Sequence, residues 1–378
     1  MKVLAAMLFC LLAAWCSAAE PAPDINQKAY DAAVALMDAG KNLEAELAFA
    51  ELVKAHTQKL GPEHRDTLLP RKALLLMEIL RHKDAAAESR LLALLPVMER
   101  VLGKEDKETL DCRELIIVAK YEKGLWAEAE QDSRSLIPVM SRALGPEDPV
   151  TLKSRAGLAC TLSVLGKLEE CETEYRQLLE ISKRVNGEAS PKTLMIQHNL
   201  ALVLMEQENE QAAERLLREV IAKRKQVLGP EHPDTLSSRH NLVNVLHNKK
   251  QYAEAVQELR AVLAAETRIH GPEHPRTLIT RDNVAGELRM LGQTKEALQE
   301  HLAVLSIEER VLGPEHPFTL FTCLSLSQCL EQMGRHKEAL PYAQRSYTGR
   351  LKVLGKEHPD TQKSRRLVDE LTNPETKA

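Results

Sequence analysis

Glycine returns along this chain every 42 residues, at Gly61, Gly103, Gly145, Gly187, Gly229, Gly271, Gly313 and Gly355, and no interval departs by a residue. A short string travels with it. It reads Leu-Gly-Pro-Glu-His-Pro at 228–233 and 312–317, His-Gly-Pro-Glu-His-Pro from His270 and Leu-Gly-Lys-Glu-His-Pro from Leu354. A period of this length means supersecondary units stacked in one dimension, each touching its neighbours. Such a chain is expected to work through an extended surface.

The stacked units must share one long core. Of 378 residues 44% are hydrophobic but only 3% aromatic, so Leu, Val, Ile and Ala have to build it. The net charge of −4 offers no basic excess or stripe of the kind nucleic-acid binding requires.

Residues 233–262 serve as the type unit. Pro233-Asp-Thr-Leu opens a helix with leucines at Leu236, Leu242 and Leu246; Lys249-Lys250-Gln251 interrupts it; a second helix carries Ala255, Val256, Leu259, Val262 and Leu263. Spacings of three and four put each set on one helical stripe, so the unit is a helix hairpin. The copies agree column by column. The turn holds Gly40, Gly124, Gly166, Gly292 or Gly334, replaced by His82, Glu208 and Lys250 elsewhere, and glycine there suits a left-handed C-cap. Five residues on stand Ala45, Ala87, Ala129, Cys171, Ala213, Ala255, Ala297 and Ala339, small in all eight copies, which implies close approach of two helix backbones. Small residues recur twelve positions upstream at Ala33, Ala159, Ala201, Ala285 and Ser327. An apolar pair follows from Leu52-Val53 to Val304-Leu305. The residue before the usual proline is His64, Asp106, Asp148, Ser190, His232, His274, His316 or His358; Asp and Ser are strong N-caps and proline fits the first helical position, so these histidines read as caps and not as metal ligands. Pro96 and Pro138 fall inside second helices and are expected to bend or restart them.

The N-terminus reads Met-Lys, an apolar run from Val3 to Trp15, then Ser17, Ala18 and Ala19, the parts of a secretory signal too short to span a bilayer. Residues 1–19 are expected to be removed, placing the protein in the periplasm or outside the cell. An uncleaved, membrane-associated segment and lipidation at Cys16 stay open as alternatives. The other cysteines, Cys112, Cys160, Cys171, Cys323 and Cys329, form no disulfide framework and no zinc pattern. A Cys160–Cys171 bridge across the turn at Gly166 is open, although the column suggests that Ala159 faces Cys171. No nucleophile elbow, phosphate loop, zinc helix motif or dinucleotide fingerprint occurs, so no catalytic residue, metal, cofactor or small-molecule substrate is expected.

The small-residue columns resemble those of tetratricopeptide repeats. The 42-residue period and the Leu-Gly-Pro-Glu-His-Pro loop resemble, more narrowly, the repeats of kinesin light chains and their bacterial relatives. The resemblance covers residues 25–372. It implies an all-α fold, a right-handed α-solenoid: a linker at 20–24, eight repeats over 25–358, a capping helix over 359–372 and a disordered tail at 373–378. First helices are implied to start near Asp24, Asp66, Glu108, Val150, Lys192, Asp234, Arg276 and Phe318. The heptad-rich coiled coil by which kinesin light chains join the motor is absent, so motor binding is not implied. First helices line the concave face in such proteins. Asn199-Leu200 and Asn241-Leu242 match the second Asn of the family's Asn-Asn-Leu-Ala motif, and Asn283-Val284 departs by one residue. The resemblance implies that Asn199, Asn241 and Asn283 grip the backbone of an extended peptide from solvent-facing positions, since an amide both donates and accepts. His198, His240, Asp282, Asn244, His247 and Arg289 would line the same groove. The expected function is a non-catalytic scaffold for a protein or peptide partner. The alternative is a linker between a bacterial tubulin-type filament and a membrane surface.

Overall fold

The computed structural model describes residues 27–82 and 85–372. The expected signal, linker and tail, and the expected helix start near Asp24, lie outside them. Among the described residues there are 17 helices and no strand. In chain order they are α1 (Gln27–Asp38), α2 (Asn42–Leu60), α3 (Arg65–His82), α4 (Ala85–Val101), α5 (Lys107–Glu122), α6 (Trp126–Ala143), α7 (Pro149–Val164), α8 (Leu168–Asn186), α9 (Pro191–Glu206), α10 (Glu210–Val227), α11 (Pro233–Asn248), α12 (Tyr252–His270), α13 (Pro275–Met290), α14 (Thr294–Val311), α15 (Pro317–Gln332), α16 (His336–Leu354) and α17 (Pro359–Thr372). Two compact units divide the chain after Asn209, so α1–α9 form the first and α10–α17 the second.

Each joint has a local cause. At the turn inside a repeat the backbone is left-handed, and the residue after it closes the helix: Lys167 N–H donates to Leu162 O at 2.9 Å, and Gln251 N–H to Leu246 O at 2.8 Å. Glycine fills this position at Gly166 (φ 73°), but Glu208 (φ 59°) and Lys250 (φ 60°) adopt it too. The glycine between repeats is stricter. Gly61, Gly187, Gly271 and Gly355 sit at φ between 81° and 93° with ψ between 157° and 169°. Only glycine occupies that region readily, which accounts for its presence in every copy.

The loop then hands over to the next first helix. Asp106 and Asp148 accept from the N–H two residues on at 2.9 and 2.8 Å. His64, His232, His274, His316 and His358 do the same through Nδ1 at 3.2–3.3 Å. The histidine column therefore caps helices; Ser190 occupies its place without a side-chain bond. A buried threonine follows in all eight copies, from Thr67 to Thr361. At Thr67, Thr193, Thr235 and Thr319 its hydroxyl donates back to the loop glycine carbonyl at 2.8–2.9 Å.

Packing follows the columns. All eight small residues from Ala45 to Ala339 are completely buried, as are Ala33, Ala159, Ala201, Ala285 and Ser327. Cys171 Sγ donates to Ala159 O at 3.0 Å and Ser327 Oγ to Ala339 O at 2.9 Å, contacts possible only when two helix backbones nearly touch. All five described cysteines are free thiols, so the Cys160–Cys171 bridge does not form; Cys160 Sγ meets Tyr175 Oη at 3.0 Å. Pro96 and Pro138 lie within uninterrupted α4 and α6, so neither helix restarts there.

Within the units, successive first helices touch directly, α3 with α5, α5 with α7, and α13 with α15, while no pair of successive second helices does so to the same extent among the described residues. First helices therefore form the tighter, concave side of each unit.

Candidate functional site

In the second unit the inner faces of α11, α13 and α15 enclose a cavity of about 340 Å³, within the range of binding clefts. From α11 come His240, Val243, Asn244 and His247, at the three-and-four spacing of one helical face. From α13 come Asp282, Asn283, Gly286, Glu287 and Met290, with Arg289 beside them; α15 adds Phe321, Ser325 and Gln328, and Lys363 of α17 stands at the end. Gly286 is a bare patch on the wall, where an added Cβ would meet nothing within 4 Å. Phe321 is 44% exposed despite its size.

Beneath this surface lies a set of half-paired acids. His301 Nδ1–H donates to Asp282 Oδ1 at 2.6 Å, both groups being buried, and His247 Nδ1–H donates to Glu287 Oε1 at 2.8 Å. Burial pushes the Glu287 carboxyl above its usual range, and His247 pulls against it. Glu308 is held still higher, at about 7, again chiefly by burial. Glu266 goes the other way: burial opposes its charge, but bonds from His240 and Thr280 prevail.

Of the expected groove residues, Asn244 is exposed and Asn283, His240, His247 and Arg289 are half-buried along the cavity. Asn241 is only 9% and Asp282 only 3% exposed. The solvent line of α11 runs through Ser237, Asn244 and Asn248. Asn241 lies about 100° round the helix from His240, on the flank. Asp282 serves as the acceptor of His301. In the first unit His198 is buried and Asn199 is 2% exposed, within a stretch of α9, residues 193–204, that is buried throughout. The expectation that all three asparagines face solvent thus fails for Asn199 and Asn241. Phe321, Gly286, Glu287, His301 and Lys363 were not anticipated. Phe321 and Gly286 had a visible signal, as one of four phenylalanines in the chain and as a glycine inside a helix. The pairing of Asp282 with His301, 19 residues apart on different helices, had none.

The first unit carries a second polar cluster on its first helices. Lys72 Nζ donates to Glu108 and Asp111, each at 2.5 Å, and Lys153 Nζ to Asp111 at 3.0 Å. Burial disfavours the Asp111 charge, and the two lysines overcome this and hold its carboxyl well below the usual range. The adjoining cavity is about 70 Å³. Among the described residues no group of three or more His, Cys, Asp or Glu is placed to hold a metal ion, and no helix is long and apolar enough to cross a membrane.

Two family models, both described as tetratricopeptide repeat, match residues 151–192 and 193–234 and residues 234–307 and 288–352, together more than half of the chain. The chain is a tetratricopeptide-repeat protein. Among solved structures, this tetratricopeptide-repeat chain is similar to a putative kinesin light chain from Podosopora anserina with nearly identical repeats, at 28% identity over 54% of this chain and 96% of that one, TM-score 0.50. Two others share the fold: BtubC (BKLC) from P. vanneervenii, at 16% identity over 62% of this chain and 94% of that one, TM-score 0.53, and the apo form of RapI, at 12% identity over 94% and 99%, TM-score 0.64. No curated protein matches the sequence. A tetratricopeptide solenoid is in general a surface for protein partners.

Proposed function

We propose that this tetratricopeptide-repeat protein is a non-catalytic scaffold that binds an extended segment of a partner protein along the first helices of its second unit. The observation that carries this reading is the cavity on α11, α13 and α15, whose lining includes the amides of Asn244 and Asn283 and the partly exposed ring of Phe321. Amides pair with a peptide backbone whatever its sequence, and an aromatic face supplies contact area. The scaffold would work after export, with residues 1–19 removed.

The test is a comparison of partner recovery from native extract by the wild-type chain and by a variant carrying Asn244→Ala, Asn283→Ala and Phe321→Ala. These side chains reach solvent, so melting should barely change while recovery falls. A folded variant that recovers the same partners with the same affinity would sink the reading. N-terminal sequencing of the native protein tests export: an intact Met1 would refute cleavage.

A further inference from the structure

Resting on that reading of the second-unit groove, we infer that its occupant is an extended segment of a partner protein presenting a long basic side chain, arginine or lysine. The argument starts from two carboxylates. Asp282 Oδ1 and Glu287 Oε1 are each taken by a histidine, at 2.6 and 2.8 Å. Their other oxygens, Asp282 Oδ2 and Glu287 Oε2, are buried and have no hydrogen-bond partner. Both residues line the same cavity, one on either side of Gly286 along α13. A buried acceptor left unpaired is costly, so the site is complete only when a donor enters.

The walls narrow the kind of donor. The bare helix at Gly286 leaves room for chain to approach between the two acids. Phe321 and Met290 line the same cavity and stay exposed well beyond what a core side chain shows; the Arg350 guanidinium already lies over the Phe321 ring, 6.0 Å from its centroid, so an incoming side chain meets the rest of the ring. Arginine and lysine combine an apolar stem with a head that only donates, and their charge stacks favourably on an aromatic ring. An acidic side chain would bring further acceptors to acceptors. Arg289 and Lys363 also stand at this cavity, yet neither reaches the two oxygens. The donor must therefore come from outside this pair of side chains.

The experiment uses the full chain and a phage-displayed library of random decapeptides as the probe. Retained peptides are resynthesised with arginine replaced by citrulline, or lysine by norleucine, and their affinities compared by calorimetry. Peptides carrying a basic residue at one fixed position, weakened about tenfold or more by the neutral replacement, are expected; a charge-assisted hydrogen bond lost from a buried acceptor has that effect. Glu287→Gln should weaken the parent peptides by a similar factor while leaving the melting midpoint nearly unchanged. Asp282→Asn leaves His301 facing a neutral amide and can fail to fold, so Glu287→Gln and Phe321→Ala carry the test. Binders that are lost on Phe321→Ala but lack a basic residue, or are indifferent to citrulline, norleucine and Glu287→Gln, would overturn the inference and leave the groove reading standing. Binders unaffected by Phe321→Ala, or no binders at all, would overturn both.

Discussion

Lys250 and Glu208 hold left-handed backbone at φ 60° and 59°, where five other repeats place glycine. A side chain there strains by roughly 1 kcal/mol. Lys250→Gly is therefore expected to stabilise by about 0.5–1 kcal/mol, and Gly271→Ala, in the region only glycine favours, to destabilise by about 1–3 kcal/mol. Denaturant melts of the two variants check the pair, and a destabilising Lys250→Gly would contradict it. The buried titratable groups make a second residue-level case. For His301, burial opposes the charge but Asp282 outweighs it, raising the pKa from 6.5 to about 9. For Glu308, burial raises the pKa from 4.5 to about 7. In both, the folded state keeps a proton that the unfolded chain gives up at lower pH. Stability is then fully present below the unfolded values and falls as pH rises, between 4.5 and 7 for Glu308 and between 6.5 and 9 for His301. The loss should be on the order of 3 kcal/mol in each window. Calorimetry from mildly acidic to alkaline pH should show a falling midpoint, with the upper part of the fall missing in His301→Gln. A midpoint that rises over this range would refute it.

At the scale of helices, the small-residue columns decide how closely a hairpin closes. Ala255 is completely buried where α12 starts its packing. Ala255→Leu is expected to cost about 1–3 kcal/mol by overpacking, read as a lowered midpoint in urea; an unchanged midpoint would mean that the helix faces are assigned wrongly. The periodicity also made legible the turn and loop glycines, the caps and the apolar pairs, because each is a demand placed on one residue by its own backbone or by the helix next to it. A neighbouring column resisted reading. It holds Ser182, Arg224, Glu266, Glu308 and Arg350, all buried and chemically unlike. Arg224 Nη1 donates to Asp234 O and Ser238 Oγ, both at 2.7 Å, and Arg350 Nη1 to Asp360 O at 3.0 Å and Ser364 Oγ at 3.1 Å. Thr280 Oγ1 donates to Glu266 at 2.5 Å. The same column is apolar at Met98 and Met140; where it carries Arg224, Glu266 or Arg350 the second helix meets the following first helix through its own polar contacts, and a polar residue in a variable column looks exposed until its partner is known.

For the molecule as a whole, a stack of repeats has two ends that need covering. In the second unit α17 does this, burying Leu367 and Leu371 and supplying Ser364 and the Asp360 carbonyl to Arg350. Removing residues 359–378 strips a buried guanidinium of these partners and exposes the apolar side of α16. A loss of more than about 2 kcal/mol and a tendency to aggregate are expected, measured by denaturant melts and light scattering. A truncated chain as stable and monodisperse as the parent would show that α17 is dispensable. The repeat period by itself determined the class of fold, the start of the seven described first helices from Arg65 to Pro317 to within about a residue and the residues of the cap column, since all of these follow from local backbone geometry written eight times over. The tertiary structure alone decided which inner-face side chains reach solvent, burying Asn199 and Asn241 and leaving Asn244 and Phe321 open, and which acids stay half-paired, Asp282 and Glu287 among them. Those properties depend on distances between helices far apart in the chain, and no column spacing encodes them.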